Sequence, residues 1–274
     1  MNKLQHPLIL DANELEDQLS TAGLIIIDLS KIDNYKQQHI PGAIFLDYGK
    51  ITRMERPIMG LLPTAESFIQ LLSSLGIHRN SHIVACDDEG GGKAARLLWT
   101  LDLIGHSNFS LLNGGMHSWI NEGHPTTQDI PQVTATHYDA ASHYLPSGIA
   151  DKAYIMEHLN DDDCQILDAR SAIEYNGQKA FSQKAGHIPG AIHFEWTEAI
   201  DMNNNLRLKE TAQIEAALQQ HGLVKDKEII AYCQSHHRSA FSCIVLKSLG
   251  YEKVRGYPGS WSDWGNSPET PVEI

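Results

Sequence analysis

Cys233 closes an apolar run, Glu228-Ile-Ile-Ala-Tyr-Cys233, and four residues, Gln234, Ser235, His236 and His237, separate it from Arg238. An aliphatic run of this length reads as a buried strand, and the stretch that Arg238 opens reads as a helix. In an open α/β sheet a strand-to-helix crossing lies at the carboxyl edge, where ligands bind. A short loop curling there aims successive N–H groups at its centre and forms an anion nest. The positive end of the helix and the Arg238 guanidinium add favourable potential. Each of these favours thiolate over thiol, the condition for nucleophilic attack by Cys233. Cys86, Cys164 and Cys243 lack this setting and read as small packed hydrophobes, Cys86 within a strand.

The elements that must hold such a loop occur twice. Leu24-Ile-Ile-Ile-Asp28 and Gln165-Ile-Leu-Asp168 are short aliphatic runs ending in Asp, 140 residues apart. His39-Ile-Pro-Gly-Ala43 recurs as His187-Ile-Pro-Gly-Ala191, an offset of 148, and the later matches settle at 145. Among these are Leu101-Asp-Leu-Ile-Gly105 with Leu246-Lys-Ser-Leu-Gly250, and Asn113-Gly-Gly-Met-His-Ser-Trp119 with Pro258-Gly-Ser-Trp-Ser-Asp-Trp264. A tandem duplication with one inserted loop before His187 and a small deletion after it explains the drift. Strands alternating with amphipathic segments predict an α/β fold, with two domains that are each a mostly parallel sheet covered by helices on both faces. The expected division is 1–124, an interdomain linker at 125–146 in a polar stretch without helical period, and 147–274. The two His-Ile-Pro-Gly-Ala segments read as turns, Pro presetting φ and Gly permitting positive φ.

These motifs, in this order and duplicated over nearly the whole chain, resemble the two-domain (tandem) rhodaneses. The loop Cys-Gln-Ser-His-His-Arg is most similar to that of a bacterial thiosulfate sulfurtransferase group with Cys-Gln-Thr-His-His-Arg. Asp263 stands where the C-terminal signature of the family more often has Glu. The resemblance implies a ping-pong cycle in which Cys233 takes the outer sulfur of thiosulfate as a persulfide and passes it to cyanide or a thiol acceptor. It implies that N–H groups from Gln234 to Arg238 stabilise the persulfide, and that the side chains of His236, His237 and Arg238 attract the dianion. Arg170 and Trp196 are candidates for the substrate side, set against readings as a structural Arg and a core aromatic. Many rhodaneses carry a further Arg four residues beyond Arg170, where this chain has Glu174. No cofactor and no metal are implied.

With the offset of 145, Asp88 takes the place of Cys233 in the first half. A carboxylate cannot carry a sulfane sulfur, so that half is expected to be catalytically silent. Gly90-Gly-Gly92-Lys93 fails as a phosphate loop, because Asp87 stands at the required first Gly and Ala94 at the Ser/Thr position.

Two other enzyme readings compete. A 3-mercaptopyruvate sulfurtransferase usually shows a Cys-Gly-Ser/Ala-Gly-Val-Thr loop, and a Cys/Arg phosphatase places five residues between Cys and Arg. A non-enzymatic rhodanese-like module would usually have lost its Cys.

Composition narrows the field further. The 274 residues carry 21 Lys+Arg against 34 Asp+Glu, a net charge of −13. That excess of acid argues against nucleic acid or an anionic membrane as a partner. No run approaches the ~18 apolar residues of a membrane span. The amino-terminal segment lacks the apolar core of a secretory signal, and four unpaired cysteines suit a reducing compartment, so the expected location is cytoplasmic.

Overall fold

The computed structural model describes residues 6–274 and divides into two units. The first comprises residues up to Ile51, Pro63–Leu145 and Asp201–Leu208; the second comprises Thr52–Leu62, Pro146–Ile200 and Lys209–Ile274.

The first unit is built on a five-stranded sheet in the order Ile9–Leu10, Phe109–Leu112, His82–Cys86, Leu24–Asp28, Ile44–Phe45, every neighbouring pair parallel. The second has four parallel strands in the order Val254–Gly256, Glu228–Tyr232, Cys164–Asp168, Ile192–His193. Helices Ala65–Ser74, Gly92–Leu103, Thr211–Gln220 and Arg238–Ser248 connect strands, as parallel pairing requires. The fold is α/β, as the alternation predicts. Leu10, Leu15, Val84 and Trp119 belong to one core cluster, and Ile166, Ile230, Tyr232, Trp261 and Trp264 to the other.

The two His-Ile-Pro-Gly-Ala turns do more than reverse the chain. His39 stacks on Tyr35 at 3.9 Å, and His187 stacks on Tyr175 at 3.7 Å. In each pair the His Nδ1 meets the Tyr backbone carbonyl, and the Tyr hydroxyl donates to the alanine carbonyl at the end of the turn, Ala43 or Ala191, at 2.7 Å. Gly42 and Gly190 supply the positive φ. Tyr35 and Tyr175 keep the offset of 140, so the inserted residues lie between Tyr175 and His187.

Neither unit is continuous in sequence. The antiparallel hairpin Arg53–Glu55/Ile58–Leu61 belongs to the second unit, where Met59 N–H donates to Ser262 Oγ at 2.8 Å. Residues 201–208 belong to the first unit, where Arg207 bonds Asp11 and Glu122. The polar stretch read as a linker packs with the first unit as far as Leu145. Thr127 bridges His39, and Tyr138 is buried with its hydroxyl 2.8 Å from His106 Nδ1.

Under the active-site strand lies a buried ionic cluster. Arg170 is 1 % exposed and donates through Nε and Nη2 to the Asp168 carboxylate, and through Nη2 to the Gly186 carbonyl. The Tyr232 hydroxyl donates to the same carboxylate. The guanidinium lies over the rings of Trp261 and Tyr232. Arg170→Ala strips Asp168 of its buried counter-charge. Its expected effect is a loss of about 3–5 kcal/mol of stability, measured by urea unfolding.

Candidate active site

Strand Glu228–Tyr232 lies between Cys164–Asp168 and Val254–Gly256 and ends with Tyr232 opposite Asp168. Cys233 is the next residue, at the carboxyl edge of the sheet. Helix Arg238–Ser248 begins five positions later, with His237 as its N-cap. The bend between them depends on His236, whose φ of 52° lies in the left-handed region. One hydroxyl ties the bend together. Ser260 Oγ accepts from Cys233 N–H at 3.2 Å and from His236 N–H at 3.0 Å, and donates to the Tyr257 carbonyl at 2.8 Å.

Cys233 is 1 % exposed, and its sulfur sits among donors. His237 N–H points at Sγ from 3.3 Å, and Ser235 N–H, Ser239 N–H and the Ser239 hydroxyl also bond it. Burial alone pushes the thiol up. The Arg238 charge, followed by the bonds from Ser239 and Ser235, outweighs it and brings Cys233 down from 9.0 to about 7. Cys86 and Cys164 behave in the opposite way. Burial, then the charges of Asp28, Asp87 and Asp88, drive Cys86 well up, and burial followed by Glu228 and Asp161 raises Cys164 to about 11.

Several expectations change in the structure. Arg170 is spent on Asp168 and the Gly186 carbonyl, which takes it off the substrate side. His236 is 0 % exposed, so its side chain is not available to attract a dianion; its Nδ1 faces Ser239 Oγ at 2.8 Å. Trp196 is half-buried, 6.2 Å from the His237 ring and edge-on to Phe241, which places it beside the loop. Gln234, Ser235, His237 and Arg238 are half-buried. Gln234 Nε2 donates to Ser182 Oγ, a residue of the inserted loop. Asp263 accepts from the Tyr257 hydroxyl and faces Lys152.

Glu174 explains itself here. Its two oxygens take both Nη groups of Arg238, at 2.7 and 2.8 Å. Burial opposes ionisation of Glu174, but the bonds and charge of Arg238 bring its carboxyl down to about 2. Arg238 thus remains charged and fixed beside the sulfur. The Ser171-x-x-Glu174 spacing announces a capping box, which forms, yet nothing in it announces the Arg238 partner.

The counterpart of Cys233 in the first unit is Asp87, a correction of one residue from Asp88. Asp28 pairs with Cys86 as Asp168 pairs with Tyr232, which makes the local offset 146. The flanking bonds agree: Met116 N–H donates to the Asp87 carbonyl and Trp261 N–H to the Cys233 carbonyl, both at 2.9 Å. The repeats on either side give offsets of 148 and 145, and no motif marks the intervening shift. Asp87 is buried, and its carboxylate accepts N–H bonds from Glu89, Gly91 and Ala94 at 2.8–3.0 Å. Asp88 instead binds Lys31 N–H, the Asn34 amide and Lys93.

The Rhodanese-like domain profile matches residues 11–122 and 151–267. The chain belongs to the rhodanese family, as a tandem pair. It is 41% identical to the thiosulfate sulfurtransferase of Pseudomonas aeruginosa over 268 residues, covering 98% of this chain and 97% of that one. It is 40% identical to the enzyme of the same name from Azotobacter vinelandii, with the same coverage. The 3-mercaptopyruvate sulfurtransferase of Escherichia coli is 28% identical, covering 90% and 87%. Among solved structures, the anaerobic ergothioneine biosynthesis enzyme of Chlorobium limicola shares the fold, with a TM-score of 0.86 at 23% identity, covering 100% of this chain and 72% of that one. No helix among the described residues of this tandem rhodanese is long and apolar enough to cross a membrane.

Gly60, which nothing in the sequence singles out, bears directly on the loop. Its φ is 72°, and a methyl group there would lie 1.9 Å from the Ser235 carbonyl oxygen. Gly60→Ala must therefore displace either hairpin or loop. Expected is an activity loss of about tenfold or more, consistent with the cost of misplacing reacting groups, with far-ultraviolet circular dichroism unchanged.

A second prediction follows from the Cys233 ionisation. The thiolate fraction grows as pH rises through about 7, so alkylation of Cys233 by iodoacetamide should climb about tenfold per unit below that point and level off above it. Cys164 should stay unmodified at pH 8. Peptide mass mapping separates the two.

Proposed function

We propose that this chain is a thiosulfate sulfurtransferase working through a persulfide on Cys233. The observation that carries the reading is a buried sulfur that ionises near neutrality beneath loop N–H donors and a fixed arginine. The Cys233 thiolate attacks the outer sulfur of thiosulfate. The S–S bond of the donor breaks and sulfite leaves with its electron pair. Sulfite is a stable anion, so no strong general acid is required. The persulfide then meets cyanide or a thiol acceptor, which takes the outer sulfur and returns the Cys233 thiolate. The same donors stabilise the sulfur at the start and the end of this cycle. The names of the two relatives near 40% identity agree with thiosulfate as donor. Four residues between Cys233 and Arg238, one fewer than in a phosphatase cradle, make a ring suited to a single sulfur.

The first unit is proposed to be silent for two physical reasons. Asp87 offers no sulfur nucleophile, and its carboxylate already occupies the loop N–H groups that an anion would need. Four free thiols fit a reducing, cytoplasmic setting. No nucleic-acid or membrane partner is part of the reading.

Intact-mass measurement after brief exposure to thiosulfate tests it. The expected result is a gain of one sulfur, discharged by cyanide as thiocyanate, abolished in a folded Cys233→Ala variant and retained in Cys86→Ala. Faster loading from 3-mercaptopyruvate would move the donor. Hydrolysis of a phosphate ester without any sulfur gain would overturn the assignment.

A further inference from the structure

Three buried groups form a line at the start of the active-site helix. Ser239 bonds the Cys233 sulfur through its hydroxyl as well as its N–H, and the same hydroxyl oxygen lies 2.8 Å from His236 Nδ1. All three residues are buried. The left-handed φ of His236 turns its ring back toward the first helical turn, and its N–H shares the Ser260 hydroxyl with Cys233 N–H. The His236 backbone is therefore anchored to the same atom as the Cys233 backbone, and the ring reaches Ser239 from there.

A hydroxyl has a single hydrogen, and here it has two neighbours, the sulfur and Nδ1. A thiolate carries no hydrogen and can only accept. If Nδ1 is bare, the hydroxyl hydrogen is drawn to the ring and the sulfur loses a donor. If Nδ1 carries a proton, it donates to Ser239 Oγ and leaves the O–H directed at the sulfur.

We propose that His236 is a positioning residue that acts through Ser239: its Nδ1–H orients the Ser239 hydroxyl so that the hydroxyl hydrogen is given to the Cys233 sulfur. The donor matters twice in the sulfur-transfer reading on which its kinetic consequence rests, when the thiolate attacks and when it is the leaving group of the persulfide. The arrangement is local. Arg238, whose charge acts on the sulfur, and its partner Glu174 are not part of the relay, and His237 contributes its backbone N–H.

The test is the titration of the Cys233 thiolate by ultraviolet absorbance, which requires no turnover. His236→Gly, which keeps the positive φ, should raise the midpoint by about one unit, the effect of losing one hydrogen bond to a charged group. Ser239→Ala should raise it equally, and the double variant should add nothing further. Asn tolerates the left-handed region and can place an amide donor near the Nδ1 position, so His236→Asn should recover most of the shift. Nitrogen-15 NMR of the thiolate enzyme should find the His236 proton on Nδ1. An unchanged midpoint in His236→Gly, additivity in the double variant, or a bare Nδ1 in the thiolate enzyme would each overturn the proposal. Single-turnover discharge of the persulfide to cyanide should slow about tenfold in His236→Gly. If the wild type takes no sulfur from thiosulfate, the sulfur-transfer reading fails, and the titration and NMR still judge the relay.

Discussion

A negative sulfur held out of water is the constraint on which this structure turns. Burial penalises the thiolate, and everything near Cys233 acts against that penalty. A parallel sheet delivers the strand end and the helix start to one point, where unpaired N–H groups of the first helical turn are available. The left-handed turn at His236 brings further loop N–H groups to the sulfur. Arg238 supplies the formal charge, and Glu174 holds it at a fixed distance instead of leaving it to solvent. Such a set of donors, arranged before any substrate arrives, needs no reorganisation as charge moves on and off the sulfur.

The duplicated halves give this argument an internal control. Both units build the same strand end, loop length and helix start, and both place a left-handed residue in the loop, Gly90 in one and His236 in the other. What differs is the group that the loop surrounds. In the second unit it is the Cys233 sulfur, which accepts N–H bonds from His237, Ser235 and Ser239. In the first it is the Asp87 carboxylate, whose oxygens take three of those bonds for themselves. A scaffold for holding an anion has thus become, by one residue type, a self-filled structural turn. The exchanged segments 52–62 and 201–208 extend the same economy, and through Gly60 and Met59 residues from the first half of the chain brace the loop and helix of the second unit.

Much of the molecule was legible in residue order. Repeated aliphatic runs ending in Asp28 and Asp168 marked the duplication and the parallel strands. Thr64 is a residue type that favours the N-cap, and it does accept from Ser67 N–H ahead of helix Ala65–Ser74. Cys233 stood out because its loop combined a strand end, a helix start and a cation. The readings that failed share one feature: each concerned where a side chain goes once the chain has closed. Arg170 was read as structural with the substrate side as the alternative, and burial on the Asp168 carboxylate removes the alternative. His236 was expected to present its side chain to the substrate dianion and lies inside. Asp88 was chosen by counting across a gap that strand register resolves differently.

The sequence by itself therefore determined the α/β duplication and singled out Cys233 as the candidate nucleophile, because hydrophobic period, turn chemistry and thiol setting are properties of neighbouring residues. Tertiary structure alone decided which carboxylate replaces that nucleophile in the first unit, which acid fixes Arg238, and which glycine and hydroxyl press on the loop. Those are matters of register, burial and close approach between residues such as Glu174 and Arg238, or Gly60 and Ser235. Such residues become neighbours only when packing brings distant segments together and water is excluded between them.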